Sequence, residues 1–297
     1  MMNISNKIQF FALSTLLQFT RIIPEFILYK IGFLIGYFYY FINSNRRELT
    51  LINLEIVFPN KSASFKKKLS KQIFRNFSYM AIDLLLITTN RLTNKKLIES
   101  TEIRGKEKLV EAINSNKGIL VITGHLGNWE LIPRILSILS DKQINVIARK
   151  SKNIFFEENF IKKFRRNKNV NIIYKEDSLI KFIKGFKNGD INGILIDQNQ
   201  KNNQGKPIPF FNRDAFTTLT PALLQIKYKP ICLPIFLIRN KYNKFEFVIH
   251  DPIEVEYPLN DENVIELTLK HQKILEDIIL KYPDQWLWMH NRWNIKQ

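Results

Sequence analysis

One cysteine, Cys232, occurs in 297 residues. That excludes an intramolecular disulfide and any zinc cluster built on thiolates, and it fits a reducing, cytosol-facing compartment. Cys232 lies in the apolar run PICLPIFLI and reads as a small core residue rather than a nucleophile. Histidine is scarce too, four in all, and nothing at metal-ligand spacing accompanies His125, so no metal is expected. Gly-x-Ser-x-Gly is absent, which removes the serine nucleophile elbow of many hydrolases. Acidic residues number only 27 against 45 Lys and Arg, a net charge of +18. Such an imbalance asks for an anionic partner: nucleic acid, a phosphate-rich small molecule, an acidic carrier protein or an anionic leaflet. No zinc-finger spacing, RNA-recognition aromatic motif or helix-turn-helix signature is present, which weighs against a basic nucleic-acid-binding protein, the rival class.

An uninterrupted membrane-length run is also missing. Residues 8–42 are apolar apart from Arg21, Glu25, Lys30 and a few uncharged polar residues. The cleanest stretch, Ile31 to Ile42, is short of the ~20 residues that span a bilayer core. Tyr37, Phe38, Tyr39 and Tyr40 at its end suit a bilayer interface, and Arg46-Arg47 beyond it favour a cytoplasmic remainder. No small-residue cleavage site follows, so a removable signal peptide is not expected. We read residues 1–43 as a membrane anchor, spanning or interfacial, against the alternative of a buried helical hairpin. Removing it is expected to release the protein from membranes and to leave residues 44–297, an α/β domain with a helical entry segment, folded.

Residues 44–75 form a basic helical stretch with a turn at Phe58-Pro59-Asn60, and an amphipathic helix follows through Phe74, Phe77, Met80, Ala81, Leu84 and Leu85. From Gly118 short apolar runs alternate with helical ones. The runs are 118–123, 144–149, 169–174, 192–197, 230–238 and 244–249. Helical stretches lie near 129–140, 154–167, 177–188, 217–229 and 261–281. Strands separated by helices of that length predict an α/β fold with a mostly parallel mixed sheet and crossover helices.

In such a sheet the functional residues lie beyond the carboxyl ends of the strands. Those ends read Gly124-His125, Arg149-Lys150 and Asp197-Gln198-Asn199. The sharpest segment is GHLGNWE, residues 124–130. His125 leaves a buried strand into a turn, Glu130 opens the next helix, and the two side chains can converge there. A carboxylate would then orient the imidazole, and the imidazole would take a proton from an attacking hydroxyl. The bland alternative is a histidine capping a helix and a glutamate favouring its N-terminal dipole. Arg149 reads either as an anion or oxyanion ligand or as a solvated strand-end charge, and Asp197 either as a structural cap or as part of an acceptor pocket. His250 ends a strand beside Asp251-Pro252, His271 lies on a polar helix face and His290 is near the terminus, so these read as bland, and the cluster Trp286, Trp288, Trp293 reads as packing or interface anchoring.

The His-x-x-x-x-Glu step in GHLGNWE closely resembles the catalytic signature of the bacterial lipid A lauroyl/myristoyl acyltransferases, within the wider glycerolipid and lysophospholipid acyltransferase superfamily. An ordered set of weaker matches accompanies it: Arg46-Arg47, Asn53-Leu54, Phe58-Pro59, RKSKN (149–153), DQN (197–199), PFF (209–211) and PDQWLWMHNRW (283–293). Departures are Asn199 for an acidic residue, Asn212 for glycine, and Asn167 or Asn169 near another expected glycine. Asn is the least costly replacement where left-handed backbone is required. The resemblance implies His125 and Glu130 as catalytic residues, with Arg149, Asn153, Asp197 and Gln198 binding substrate. It implies a donor acyl chain on acyl carrier protein and an acceptor hydroxyl on an anionic lipid A precursor, with no cofactor beyond the donor thioester. It also implies the bacterial inner membrane, with the catalytic domain on the cytoplasmic side. Both expected partners match residues 142–187, which carry 13 Lys and Arg against 4 Asp and Glu. Another glycolipid, a phospholipid or an ornithine lipid stays open as acceptor.

Overall fold

The computed structural model describes residues 4–151, 153–174, 178–200, 204–256 and 258–295. Five helices come first. α1 (Ile4–Ile22) and α2 (Glu25–Ile42) are separated at Pro24, whose ring cannot continue a helix. α3 (Ser44–Val57) starts where the Asn43 side chain accepts the Arg46 N–H, and α4 (Ala63–Thr88) starts at Ser62, capping Phe65 in the same way. α5 (Asn94–Glu99) is capped by Thr93.

α2 buries Leu28, Tyr29, Gly32, Gly36 and Tyr40, a stripe at helical spacing. The two glycines let α4 come close: a Cβ on Gly36 would sit 2.8 Å from the Phe74 carbonyl oxygen, and one on Gly32 2.9 Å from Ile82. The opposite face exposes Phe26, Phe33, Leu34, Phe38, Phe41 and Ile42, continued on α1 by Phe11, Leu16, Phe19 and Ile22. α2 is long and apolar enough to cross a membrane. It is also fastened to the body. The Tyr29 hydroxyl donates to Asp83 on α4 (2.6 Å), and Arg91 donates to the Thr20 carbonyl (2.6 Å) at the end of α1.

The remaining chain alternates strands and helices: β1 (Thr101–Arg104), α6 (Lys106–Asn114), β2 (Ile119–Thr123), α7 (Ile132–Leu139), β3 (Ile144–Ala148), α8 (Ile154–Phe156), a π-helical turn, α9 (Lys162–Arg165), β4 (Val170–Tyr174), α10 (Ser178–Lys187) and β5 (Ile191–Leu195). A hairpin, β6 (Lys206–Phe210) and β7 (Arg213–Thr217), precedes α11 (Thr220–Tyr228), β8 (Ile231–Lys241), β9 (Lys244–Ile249) and α12 (Asp261–Lys281). Seven strands form one sheet in the order β1-β9-β8-β2-β5-β3-β4, parallel except for the β8–β9 pair. β2 is central and every residue in it is buried. Ile119 and Val121 face the core under α7 and α9, while Leu120 and Ile122 face Phe182, Phe186 and Leu275 on the other side.

From Gly118 on, the expected strands and helices are present within a few residues of their expected limits, whereas the basic stretch after the Phe58-Pro59-Asn60 turn and the amphipathic helix form one continuous helix, α4. α5, α6, β1 and the β6–β7 hairpin are additional. The hairpin turns at Phe211 and Asn212, both left-handed (φ 51° and 58°), so asparagine does stand at a left-handed position there. Asn167 and Asn169 do not; neither has positive φ, and Asn169 instead donates to the Ser140 carbonyl (2.9 Å).

Candidate active site

Register sets the site. β2 and β5 are neighbours with Thr123 opposite Leu195, so the residues two beyond each, His125 and Asp197, emerge side by side. The His125 ring Nδ1 lies 2.7 Å from Asp197 Oδ1, and the His125 backbone N–H donates to Oδ2 (2.8 Å). Trp286 Nε1–H donates to the same Oδ2 (2.8 Å). A carboxylate so engaged on one side of the ring fixes the tautomer with the proton on Nδ1, leaving the Nε2 lone pair outward. There the Gln198 amide nitrogen lies 3.1 Å away. Burial of the ring alone would lower its pKa, but the charge and hydrogen bond of Asp197 outweigh it, and His125 is raised above 6.5. Burial opposes ionisation of Asp197, yet the imidazole and three donated hydrogen bonds hold its carboxyl well below the usual carboxylate range.

Asp197, not Glu130, therefore orients the imidazole. Glu130 stands in the short helical turn 129–131, and both its oxygens are taken by Arg165 (Nε to Oε2 2.9 Å, Nη2 to Oε1 2.6 Å). This bidentate pair fixes the Arg165 guanidinium beside the site. Arg149, beyond β3, is exposed and makes no hydrogen bond or ion pair among the described residues. Asn153 is away from the imidazole: its side chain caps α8 by accepting the Phe156 N–H (3.1 Å) and donates to Gln9.

His125, Glu130, Arg149, Arg165 and Gln198 ring the mouth of a cavity of about 400 Å³, within the range of small-molecule sites. The rest of its lining is mostly apolar, with Thr123, Arg134, Gln200, Thr218 and Thr220 as its polar members. Alternate residues of β2, β5, β3 and β4 make the floor, and Ile132, Leu136 and Phe164 the roof. Thr123 Oγ1 and Arg165 Nη1, both on lining residues, are buried without a hydrogen-bond partner among the described residues. Among the described residues no group of His, Cys, Asp and Glu is placed to hold a metal ion.

The C-terminal segment underlies this mouth, which the spacing of its residues did not announce. The Leu287 N–H donates to the His125 carbonyl and Gly127 N–H to the Gln285 carbonyl (both 2.9 Å). His290, read as bland, is half-buried, accepts the Asn199 N–H (3.1 Å) and has its pKa pushed down to about 4 by that burial. Arg46 donates to the Met289 carbonyl (2.7 Å), and Asn53 to those of Trp288 and His290. The scattered motif residues of α3 and the terminal tryptophans thus meet as one support. Gly127 in the turn has φ 62°, and a Cβ there would strike the Leu237 carbonyl oxygen, so only glycine fits.

The family model for bacterial lipid A biosynthesis acyltransferases matches residues 2–295. The lipid A biosynthesis lauroyltransferase of Escherichia coli K12 is 22% identical over 276 residues, covering 92% of this chain and 87% of its own. The lipid A biosynthesis palmitoleoyltransferase of the same organism is 22% identical over 84% of this chain and 79% of its own. Among solved structures, the 1-acyl-sn-glycerophosphate (LPA) acyltransferase PlsC from Thermotoga maritima is similar over 85% of this chain and 97% of its own, at 15% identity with a TM-score of 0.39.

Proposed function

The chain belongs to the bacterial lipid A biosynthesis acyltransferase family, and from that premise we propose that it moves a fatty acyl chain from the thioester of acyl carrier protein to a hydroxyl of a lipid A precursor, with His125 as general base. One observation carries this reading: a histidine–carboxylate pair stands at the mouth of a cavity lined mostly by apolar side chains. The acyl chain lies in the cavity with its thioester at the mouth. The acceptor hydroxyl displaces the Gln198 amide from Nε2 and gives its proton to that nitrogen as its oxygen attacks the thioester carbonyl carbon. The carbonyl electrons move onto oxygen, the tetrahedral intermediate collapses, and the carbon–sulfur bond breaks. The departing thiolate takes the proton back from the imidazolium, leaving an ester and a free carrier thiol. Asp197 stabilises the imidazolium, and general-base help of this kind is worth about 10²–10⁴ in rate.

The oxyanion needs donors at the mouth, and the Gln198 amide, Arg149 and the unpartnered Nη1 of Arg165 supply them. Glu130 acts by holding Arg165 in place and by adding negative charge near the ring. Cys232 takes no part: it is fully buried and burial pushes its thiol up, away from the thiolate form. The apolar outer face of α1 and α2 rests in the inner leaflet of the cytoplasmic membrane, with the catalytic body on the cytoplasmic side. The acidic carrier docks on exposed basic residues of 142–187, Lys150, Lys163, Arg166 and Lys168. The test is to mix acylated carrier protein and a lipid A precursor with purified enzyme and follow the product by mass. Wild type and Cys232→Ala should give product, and His125→Ala none above background. Turnover surviving in His125→Ala, or lost in Cys232→Ala, overturns the mechanism.

A further inference from the structure

We infer that Gly193 sets the length of acyl chain that the cavity accepts, an inference that rests on the acyl-transfer reading above. The floor is built in rows across adjacent parallel strands. Thr123 and Leu195 form the row at the rim, Val121, Gly193 and Val146 the row below, and Ile144 with Val170 the deepest. Successive rows on one face are two residues apart, about 6.6 Å. The middle row therefore places two valines on either side of a residue with no side chain.

Nothing in the backbone requires glycine there. Gly193 does not have positive φ, unlike Gly127. A Cβ added to it would meet only Val146 Cγ1 at 3.5 Å and the Asn145 carbonyl oxygen at 3.9 Å, ordinary contacts with open space beyond. Gly118 and Gly185 are different, since a Cβ on either would lie 2.5 Å from a neighbouring atom. A glycine at the centre of a strand costs stability and marks a place where something approaches the backbone closely. Here the approaching body is the cavity's contents, under the roof of Ile132, Leu136 and Phe164. A side chain at position 193 would stand in the path from the mouth to the Ile144–Val170 row.

The experiment offers purified enzyme a mixture of acyl carrier protein thioesters of graded chain length and reads the product distribution by mass. Gly193→Ala, Gly193→Val and Gly193→Leu should move the preferred length progressively shorter, the longest donors losing most and the shortest least. Each methylene that no longer fits should lose on the order of tenfold or more in relative kcat/KM. Circular dichroism checks that each variant folds. If the bulkier variants do not, Gly193→Ala carries the test, because its Cβ makes only ordinary contacts. A folded Gly193→Ala or Gly193→Leu with the wild-type length profile, or one that loses all lengths equally, overturns the inference and leaves the acyl-transfer reading standing. A wild-type enzyme that transfers no acyl chain of any length overturns that reading instead.

Discussion

At the scale of single residues, the site is governed by which carboxylate reaches which ring. The base must be neutral to accept a proton, and Asp197 raises the His125 pKa above 6.5. Activity should accordingly rise with pH through a value above 6.5. Asp197→Asn removes the charge that opposes burial, so the acid limb of kcat/KM should move to lower pH while kcat falls by about 10²–10⁴. A pH–rate profile of the two enzymes checks both effects; an unmoved acid limb would separate Asp197 from the titrating group. Glu130 carries a different prediction. If it acts by holding Arg165, Glu130→Ala and Arg165→Ala should each lower kcat/KM by roughly a hundredfold, and the double variant should be little worse than either alone. Full additivity would give Glu130 a role apart from Arg165. His125 was legible in the sequence because a strand end, two glycines and a histidine stand together in it. Its partner was not. Glu130 is five residues away along the chain, whereas Asp197 comes near only through the β2–β5 register, which spacing does not encode.

At the scale of elements, the turn that carries His125 is clamped from three sides. Asn128 within it donates to Asp83 on α4 (2.6 Å), which also accepts Tyr29 from α2 and pairs with Arg239 on β8. Asp83 and Arg239 are fully or nearly buried, so neither charge has water to fall back on. Asp83→Asn should cost about 3–5 kcal/mol by stranding the arginine. Tyr29→Phe, which leaves the ion pair intact, should cost about 1 kcal/mol. Urea unfolding of both variants checks this order, and equal losses would contradict the central place given to the ion pair. The crossover helices and their strands were legible because both faces of the sheet are covered and the strands read as continuous apolar runs. β1 escaped notice because Thr101–Arg104 alternates charge with apolar residues at a sheet edge. The hairpin escaped because Pro207 and Pro209 argue against a strand, and proline is tolerated there because β6 pairs on one side only, with β7, among the described residues.

At the scale of the whole molecule, the N-terminal helices have two unlike faces, and that changes what their removal would do. Deleting residues 1–43, expected from the sequence to leave the α/β body folded, would strip Tyr29 from Asp83 and uncover the face of α4 at Phe74, Tyr79 and Ile82. The truncated protein should therefore lose stability as well as membrane binding, and solubility alone would be ambiguous. Leu34 and Phe38 offer a cleaner test, being 62% and 67% exposed on the outer face of α2 and remote from the α4 contact. A carboxylate at each position is repelled by an anionic leaflet and costs up to ~2.5–3.5 kcal/mol at bilayer depth, a penalty absent in water. The double variant Leu34→Glu/Phe38→Glu should keep the wild-type thermal midpoint and should float free of vesicles containing phosphatidylglycerol at high salt. It should acylate a detergent-dispersed acceptor at close to the wild-type rate, since His125, Asp197 and the cavity are untouched, yet turn over acceptor embedded in vesicles poorly. Sedimentation, thermal unfolding and the two assays together decide it. If the variant remains on the vesicles like wild type at high salt, the outer face of α2 is not what meets the membrane; binding seen only at low salt would instead be electrostatic, through the basic residues of 142–187.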